Sequence, residues 1–119
     1  MGLLGSTTAV ADVAFERVRQ VLTEEHAAIL LGLNALPPGV LVTADARRST
    51  LAMQGQFWYR GEYAFAPDGR GTLITYRVIN VSGQPDAMIR IWQRASLRRQ
   101  QRDTDAFAAD LPNRVNQAS

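Results

Sequence analysis

The chain of 119 residues is 46% hydrophobic and 20% charged, the balance of a soluble globular protein with one modest core. It contains no cysteine, which excludes disulfides and thiolate metal sites, and no apolar run long enough to span a bilayer. A formal net charge of +2 calls for no nucleic-acid partner, and all 13 basic residues are arginine, the usage of a GC-rich bacterial genome.

The opening Met-Gly-Leu-Leu-Gly-Ser lacks the basic stretch of a signal peptide, so a cytoplasmic protein is expected. Leu3 to Ala11 reads as a first strand at a sheet edge. Asp12 is a candidate N-cap for a helix with Phe15, Val18, Val21 and Leu22 on its apolar face. Thr23, followed by Glu24 and Glu25, starts a second helix, with Ala27, Ile29, Leu30, Leu31 and Leu33 apolar and Asn34 as its stop. Leu36-Pro37-Pro38-Gly39 breaks the chain. Val40 to Ala44 and Ser49 to Gln54 read as two further strands.

Gln56 to Val81 then reads as one long β-hairpin, its arms Gln56 to Phe65 and Gly71 to Val81, with Ala66-Pro67-Asp68-Gly69-Arg70 as the turn. Placing Phe65 opposite Thr72 sets Tyr63 against Ile74, Gly61 against Tyr76, Tyr59 against Val78 and Phe57 against Asn80. Side-chain alternation gathers these on one apolar face holding three phenols, where Gly61 leaves room for a ring. Trp58, Arg60, Glu62, Thr75, Arg77 and Ile79 fall on the other, salt-bridge-capable face. Past Pro85, a helix is expected as far as Leu111. Met88, Ile91, Trp92 and Ala95 form its first apolar stripe, and Phe107 and Leu111 resume one; the middle, from Arg94 to Asp105, is nearly all polar. Pro112 is expected to end it, leaving 113–119 as a frayed tail on a single domain of residues 1–112.

The order is α+β: an antiparallel sheet of about five strands wrapped on a long C-terminal helix, with two short helices after strand 1. It resembles the START-like helix-grip superfamily, also called SRPBCC, which includes polyketide cyclase/dehydrase and lipid-transport proteins. The likeness rests on Asp12-Val13-Ala14-Phe15-Glu16-Arg17-Val18 leading to Val21-Leu22-Thr23, and on Tyr59-Arg60-Gly61-Glu62-Tyr63. It continues in Gly71-Thr72-Leu73-Ile74-Thr75-Tyr76-Arg77-Val78 and in Leu97-Arg98-Arg99 on the C-terminal helix. Typical members have six or seven strands, so this chain resembles a short variant whose cleft is shallow, open or completed by a second subunit. What the resemblance implies is a hydrophobic cleft between sheet and helix.

Tyr59, Tyr63 and Tyr76, with Asn80 as the polar end of their face and Met88 and Trp92 facing them from the helix, are the candidate ligand-binding residues. The same phenols also suit a filled core whose hydroxyls reach carbonyls or solvent. His26 is the sole histidine and has no partner at metal-ligand spacing, so neither a metal, a cofactor nor a catalytic triad is expected. Arg94, Arg98 and Arg102, with Arg99 beside them, stack on one helix face; without interleaved aromatics they read as a solvated face, with at most a peripheral membrane contact. The function expected is carriage or binding of a small hydrophobic, lipid- or polyketide-like molecule without catalysis. A cyclase/dehydratase-like enzyme and a dimeric interaction module with a filled core are the alternatives. A homodimer is expected through Trp58 and Ile79.

Overall fold

The computed structural model describes residues 2–33, 39–54, 59–80 and 97–119, with backbone only at 2–4, 59, 80 and 97. Five strands are described: β1 (Gly2–Ala11), β2 (Leu41–Asp45), β3 (Thr50–Gln54), β4 (Tyr59–Asp68) and β5 (Gly71–Asn80). They form one antiparallel sheet in the order β1-β5-β4-β3-β2. Helices α1 (Phe15–Gln20) and α2 (Ala27–Leu30), joined by a 3₁₀ turn at Glu24–His26, carry the chain from the β1 edge to the β2 edge, and α3 (Leu97–Ala118) closes the chain.

The β4–β5 hairpin is tighter than its sequence suggests. Asp68 pairs with Gly71, so the loop is Gly69-Arg70 alone. Asp68 Oδ1 accepts the Arg70 backbone N–H at 2.9 Å and its Nε–H at 3.1 Å, an Asx-type closure that makes a five-residue turn unnecessary. The register is therefore two residues away from the expected one: Phe65 faces Ile74, Tyr63 faces Tyr76, Gly61 faces Val78 and Tyr59 faces Asn80. A shift of two keeps every side chain on its face, so the inner and outer sets stand as expected. Pro67 tolerates a strand position because the hydrogen-bonded Asp68–Gly71 pair turns its nitrogen away from β5, on the side where the β3 register has already ended at Thr50–Ala64.

The core lies between the inner face and the helices. Leu51, Phe65 and Ile74 from the sheet meet Val18, Val21, Leu22, Ala27 and Leu30 from the connection and Phe107, Ala108, Leu111 and Val115 from α3. Burying each large aliphatic side chain contributes about 1.5–3 kcal/mol. Thr72 Oγ1 donates to the Val13 carbonyl at 2.7 Å, tying the end of the hairpin to the chain as it leaves β1.

Several local expectations are corrected. Ala14, not Asp12, occupies the N-cap of α1, without a side-chain cap; Val13 is buried, which draws the chain inward before the helix starts. The second helix stops at Gly32 rather than Asn34. Gly32 has φ +74°, its N–H bonds the Ile29 carbonyl at 3.0 Å, and the Leu33 N–H bonds the Ala28 carbonyl at 2.8 Å, the paired bonds of a Schellman ending. Pro112 does not end α3, and 113–119 is not frayed. Proline removes one helix bond, at a cost of about 3 kcal/mol. Beyond it Val115 and Ala118 are buried, Arg17 Nη2 donates to Asn116 Oδ1, and Ser119 Oγ donates to the Val115 carbonyl. These contacts offset the loss. The expected helix between Pro85 and residue 96, and Phe57, Trp58, Ile91 and Ala95 with it, lies outside the described residues.

Backbones approach closely at Gly71, whose φ is +137° and where a Cβ would come within 2.3 Å of the Ala11 carbonyl oxygen. Gly71→Ala should therefore destabilise the protein by about 1–3 kcal/mol. Gly69→Ala, with nothing within 4 Å of the added carbon, should change stability by less than about 0.5 kcal/mol. Urea denaturation of the two variants checks the pair; equal losses would contradict this account of the hairpin end.

Candidate functional site

Strand alternation and register arrange the inner face in rows that cross the sheet. One row runs Thr7, Tyr76, Tyr63, Leu51, Ala44 across all five strands. The next row toward the open end of the hairpin runs Gly5, Val78, Gly61, Met53, Val42. The first is bulky and carries two phenols; the second has glycine on two of its five strands. Gly5 sits where β1 shifts register, a bulge that a glycine accommodates.

The phenols are held by α3. Phe107 lies flat on Tyr63, with ring centroids 4.0 Å apart and planes 12° from parallel. Tyr63 in turn meets Tyr76 at 4.6 Å and 36°, so three rings form one continuous aromatic group. Phe107 is itself fixed by Phe65 at 6.3 Å and by the Arg114 guanidinium, 5.7 Å from its centroid on the cation–π side. Tyr76 extends across β4: a Cβ on Gly61 would come within 2.6 Å of the Tyr76 hydroxyl. The room that the sequence assigns to Gly61 is thus used by Tyr76, reached diagonally rather than directly opposite.

Beside Tyr76 lies a buried polar ring that sequence reading missed. Thr104 Oγ1 donates to the Gln100 carbonyl at 2.8 Å, which spends its single proton. The 2.7 Å contact between Thr7 and Thr104 is then donated by Thr7, and Thr7 accepts the Gln100 Nε2–H at 3.4 Å. Residues 100 and 104 fall in the stretch that is nearly all polar, yet both are buried. The signal was present in their spacing to Phe107 and Leu111, which places all four on one helix face.

Burial, with the Asp103 charge adding to it and Arg114 opposing it, pushes the Tyr63 phenol from its ordinary value of 10.0 up to about 12. Tyr63 is therefore neutral throughout the physiological range, a hydrogen-bonding phenol and not a base. Among the described residues no group of three or more His, Asp or Glu side chains is placed to hold a metal ion, and no helix is long and apolar enough to cross a membrane.

Of the candidate residues, the structure brings Tyr63 and Tyr76 into contact. Tyr59 and Asn80 are paired in register on the same face, two rows farther along, with their side chains outside the description. Met88 and Trp92 lie outside the described residues. His26 shares a 3.1 Å hydrogen bond with Thr23 Oγ1 on the surface. Arg98, Arg99 and Arg102 fall on α3 as expected, with Arg98 and Arg102 exposed.

No family model matches the chain, and no curated protein matches it by sequence. Solved structures do match along nearly the whole length. The solution structure of Bacillus halodurans protein BH1534 is 15% identical, with a TM-score of 0.53 over 99% of this chain and 99% of that one. The crystal structure of TTHA0849 from Thermus thermophilus is 18% identical, with a TM-score of 0.52 over 97% of this chain and 99% of that one. What these likenesses show is the fold, an antiparallel sheet with short helices after its first strand and a long C-terminal helix, which matches the helix-grip description. The Zhui aromatase/cyclase from Streptomyces sp. R1128 is a looser likeness, 12% identical with a TM-score of 0.45 over 96% of this chain and 92% of that one, too distant to carry a function across. In the helix-grip description the sheet closes around the C-terminal helix, and here that grip runs through Phe107 and the Thr7–Thr104–Gln100 ring.

The Tyr63 shift has a signed consequence. Below pH 10 the phenol is neutral in both folded and unfolded chains, and its contribution to stability is intact. Between pH 10 and about 12 the unfolded chain loses this proton first, so stability falls as pH rises, by about 2–3 kcal/mol in total. Denaturant melts across that range should show the fall in the wild type and a shallower one in Tyr63→Phe. Parallel pH profiles would contradict a neutral, buried Tyr63.

Proposed function

We propose that the chain, acting as one domain, binds a small hydrophobic molecule with a hydrogen-bonding group on the inner face of its sheet, beside Tyr63 and Tyr76. The observation that supports this most is the step from the phenol row to the glycine-bearing row above it. Packing fills the face as far as Tyr63 and Tyr76, the Tyr76 hydroxyl reaching over Gly61, and the side chains then shrink to Gly5 at the β1 edge while Met53 stays 40% exposed. An apolar floor bordered by a few fixed polar groups is the usual composition of a small-molecule site. The helix-grip fold class binds small hydrophobic ligands, which agrees with this reading. Tyr59 and Asn80, paired on the same face, extend the site toward the end of the hairpin, and Met88 and Trp92 are proposed to face it from the segment before α3.

Binding without turnover is favoured over a cyclase- or dehydratase-like reaction. The charges that reach Tyr63 are those of Asp103, which is exposed, and Arg114, which is committed to Asp110 at 3.2 Å and the Leu30 carbonyl at 3.4 Å. Neither is an activated acid or base on the inner face. A homodimer is proposed through the edge of β2, where Leu41 is 60% exposed, rather than through Trp58, outside the described residues, and Ile79, which is half-buried.

Two fluorescent or absorbing probes of one shape test the site: 2-naphthol, which has a hydroxyl, and naphthalene, which has none. Tyr63→Phe and Tyr76→Phe keep the rings and remove one hydrogen-bonding group each. At neutral pH each should weaken 2-naphthol binding by about 2- to 10-fold, the worth of one net hydrogen bond, and leave naphthalene binding and thermal stability nearly unchanged. Failure of the wild type to bind either probe, or a loss of stability without a change in binding, would make these tyrosines core residues only.

A further inference from the structure

On the side of the sheet that carries Glu62 and Arg77, a groove of about 800 Å³ runs over β2, β3 and β4 toward the β2–β3 turn and reaches round β2 to Ala44, Ala46 and Glu24. Its floor is made of short side chains, Thr43, Thr50 and Ala64, and its walls carry four guanidiniums, Arg47, Arg48, Arg60 and Arg77, against three carboxylates, Glu24, Asp45 and Glu62. The volume lies within the range of small-molecule sites.

Two of the three carboxylates are spent; the third, Glu24, is exposed. Register sets Glu62 directly against Arg77, and its two oxygens serve two cations: Oε1 lies 3.4 Å from Arg77 Nη1 and Oε2 lies 3.9 Å from Arg60 Nε. Neither contact is a bidentate fork, so most N–H groups of both guanidiniums remain for another acceptor; Arg60 Nη2 reaches Thr43 Oγ1 at 3.4 Å. Asp45 is engaged by its own turn, where Oδ1 accepts the backbone N–H groups of Arg47 at 2.9 Å and Arg48 at 3.2 Å. That turn, with Ser49 at φ 55°, projects Arg47 and Arg48, whose exposed side chains make no ion pair among the described residues.

From this geometry we infer that the outer groove is a second binding site, for a small molecule carrying two oxyanion groups, phosphate or carboxylate. One group is taken by Arg60 and Arg77, whose positions Glu62 fixes, and the other by Arg47 and Arg48 at the turn. Planar guanidiniums with unspent donors are the side chains best suited to such groups. The site is independent of the inner face: Glu62 and Arg77 are the chain neighbours of Tyr63 and Tyr76 and point the other way.

The test is calorimetric titration with inorganic pyrophosphate and, separately, with citrate, at one low and constant ionic strength, on the wild type and two variants. Arg47→Gln/Arg48→Gln changes exposed turn side chains and leaves Glu62 paired; Arg98→Gln/Arg102→Gln removes the same charge from the exposed face of α3. Saturable wild-type binding of either probe, weakened about tenfold or more by the turn variant and less than about twofold by the α3 variant, is the expected result. Which probe binds more tightly separates a phosphate from a carboxylate ligand. Arg60→Gln/Arg77→Gln, with its fold confirmed by circular dichroism, should abolish binding. No saturable binding of either probe, or equal weakening by the turn and α3 variants, would overturn the proposal, the second outcome meaning diffuse attraction to net charge.

Discussion

Phe107 stacked on Tyr63 is the contact on which the inner face depends. It joins the C-terminal helix to β4, the central strand of the sheet. It also stands at the boundary between the filled core of Phe65, Ile74, Leu51 and Leu111 and the phenols beyond. Without a ring at that position, Tyr63 would have no flat surface to hold its angle, and Tyr76, which leans on Tyr63, would lose its support in turn. Arg114 reinforces the arrangement from behind by sharing its guanidinium among the Phe107 face, the Asp110 carboxylate and the end of α2. An aromatic group assembled in this way keeps its orientation in the absence of a ligand, which reduces the ordering cost of binding.

The hairpin serves two different surfaces because its side chains alternate. Tyr63 and Tyr76 meet on one side of the β4–β5 ladder, and Glu62 and Arg77 meet on the other, one residue away. Both pairs owe their contact to the same two-residue loop, and Asp68, its carboxyl held below the usual range by the Arg70 hydrogen bonds, closes that loop. An error of one residue at Gly69-Arg70 would put phenols into water and charges into the core. An error of two leaves the faces intact but changes which residues are opposite, and this is why the faces were legible in the sequence while the partners were not.

The strands, their faces and the long helix were legible because aromatic and β-branched alternation on β4 and β5 is strong, and because Phe107 and Leu111 lie at helical spacing. What escaped was decided by tertiary contacts. Gln100 and Thr104 lie in a stretch that is nearly all polar, and they are buried because Thr7, far away in sequence, completes their hydrogen bonds. Pro112 reads as a stop by propensity, and the helix passes through it because Val115 and Ala118 find buried places beyond. Gly32 rather than Asn34 ends α2 because glycine takes the φ of +74° there, and the turn it makes satisfies the Ala28 and Ile29 carbonyls. Of the candidate site, Tyr63 and Tyr76 could be read from the hairpin alone; the ring that supports them could not be placed without knowing which turn of α3 lies above them.

The central claim, that Phe107 and Tyr63 act as a coupled pair holding the inner face, is tested most directly by a double-mutant cycle. Stability is measured by urea denaturation for wild type, Phe107→Leu, Tyr63→Leu and the double variant. Leucine preserves an apolar side chain at each site and removes the ring stack. A coupling energy of about 0.5–1.5 kcal/mol is predicted, the double variant losing less than the sum of the singles. Additive losses would contradict the account, since each ring would then be packing independently and the helix would not be what orients the phenols.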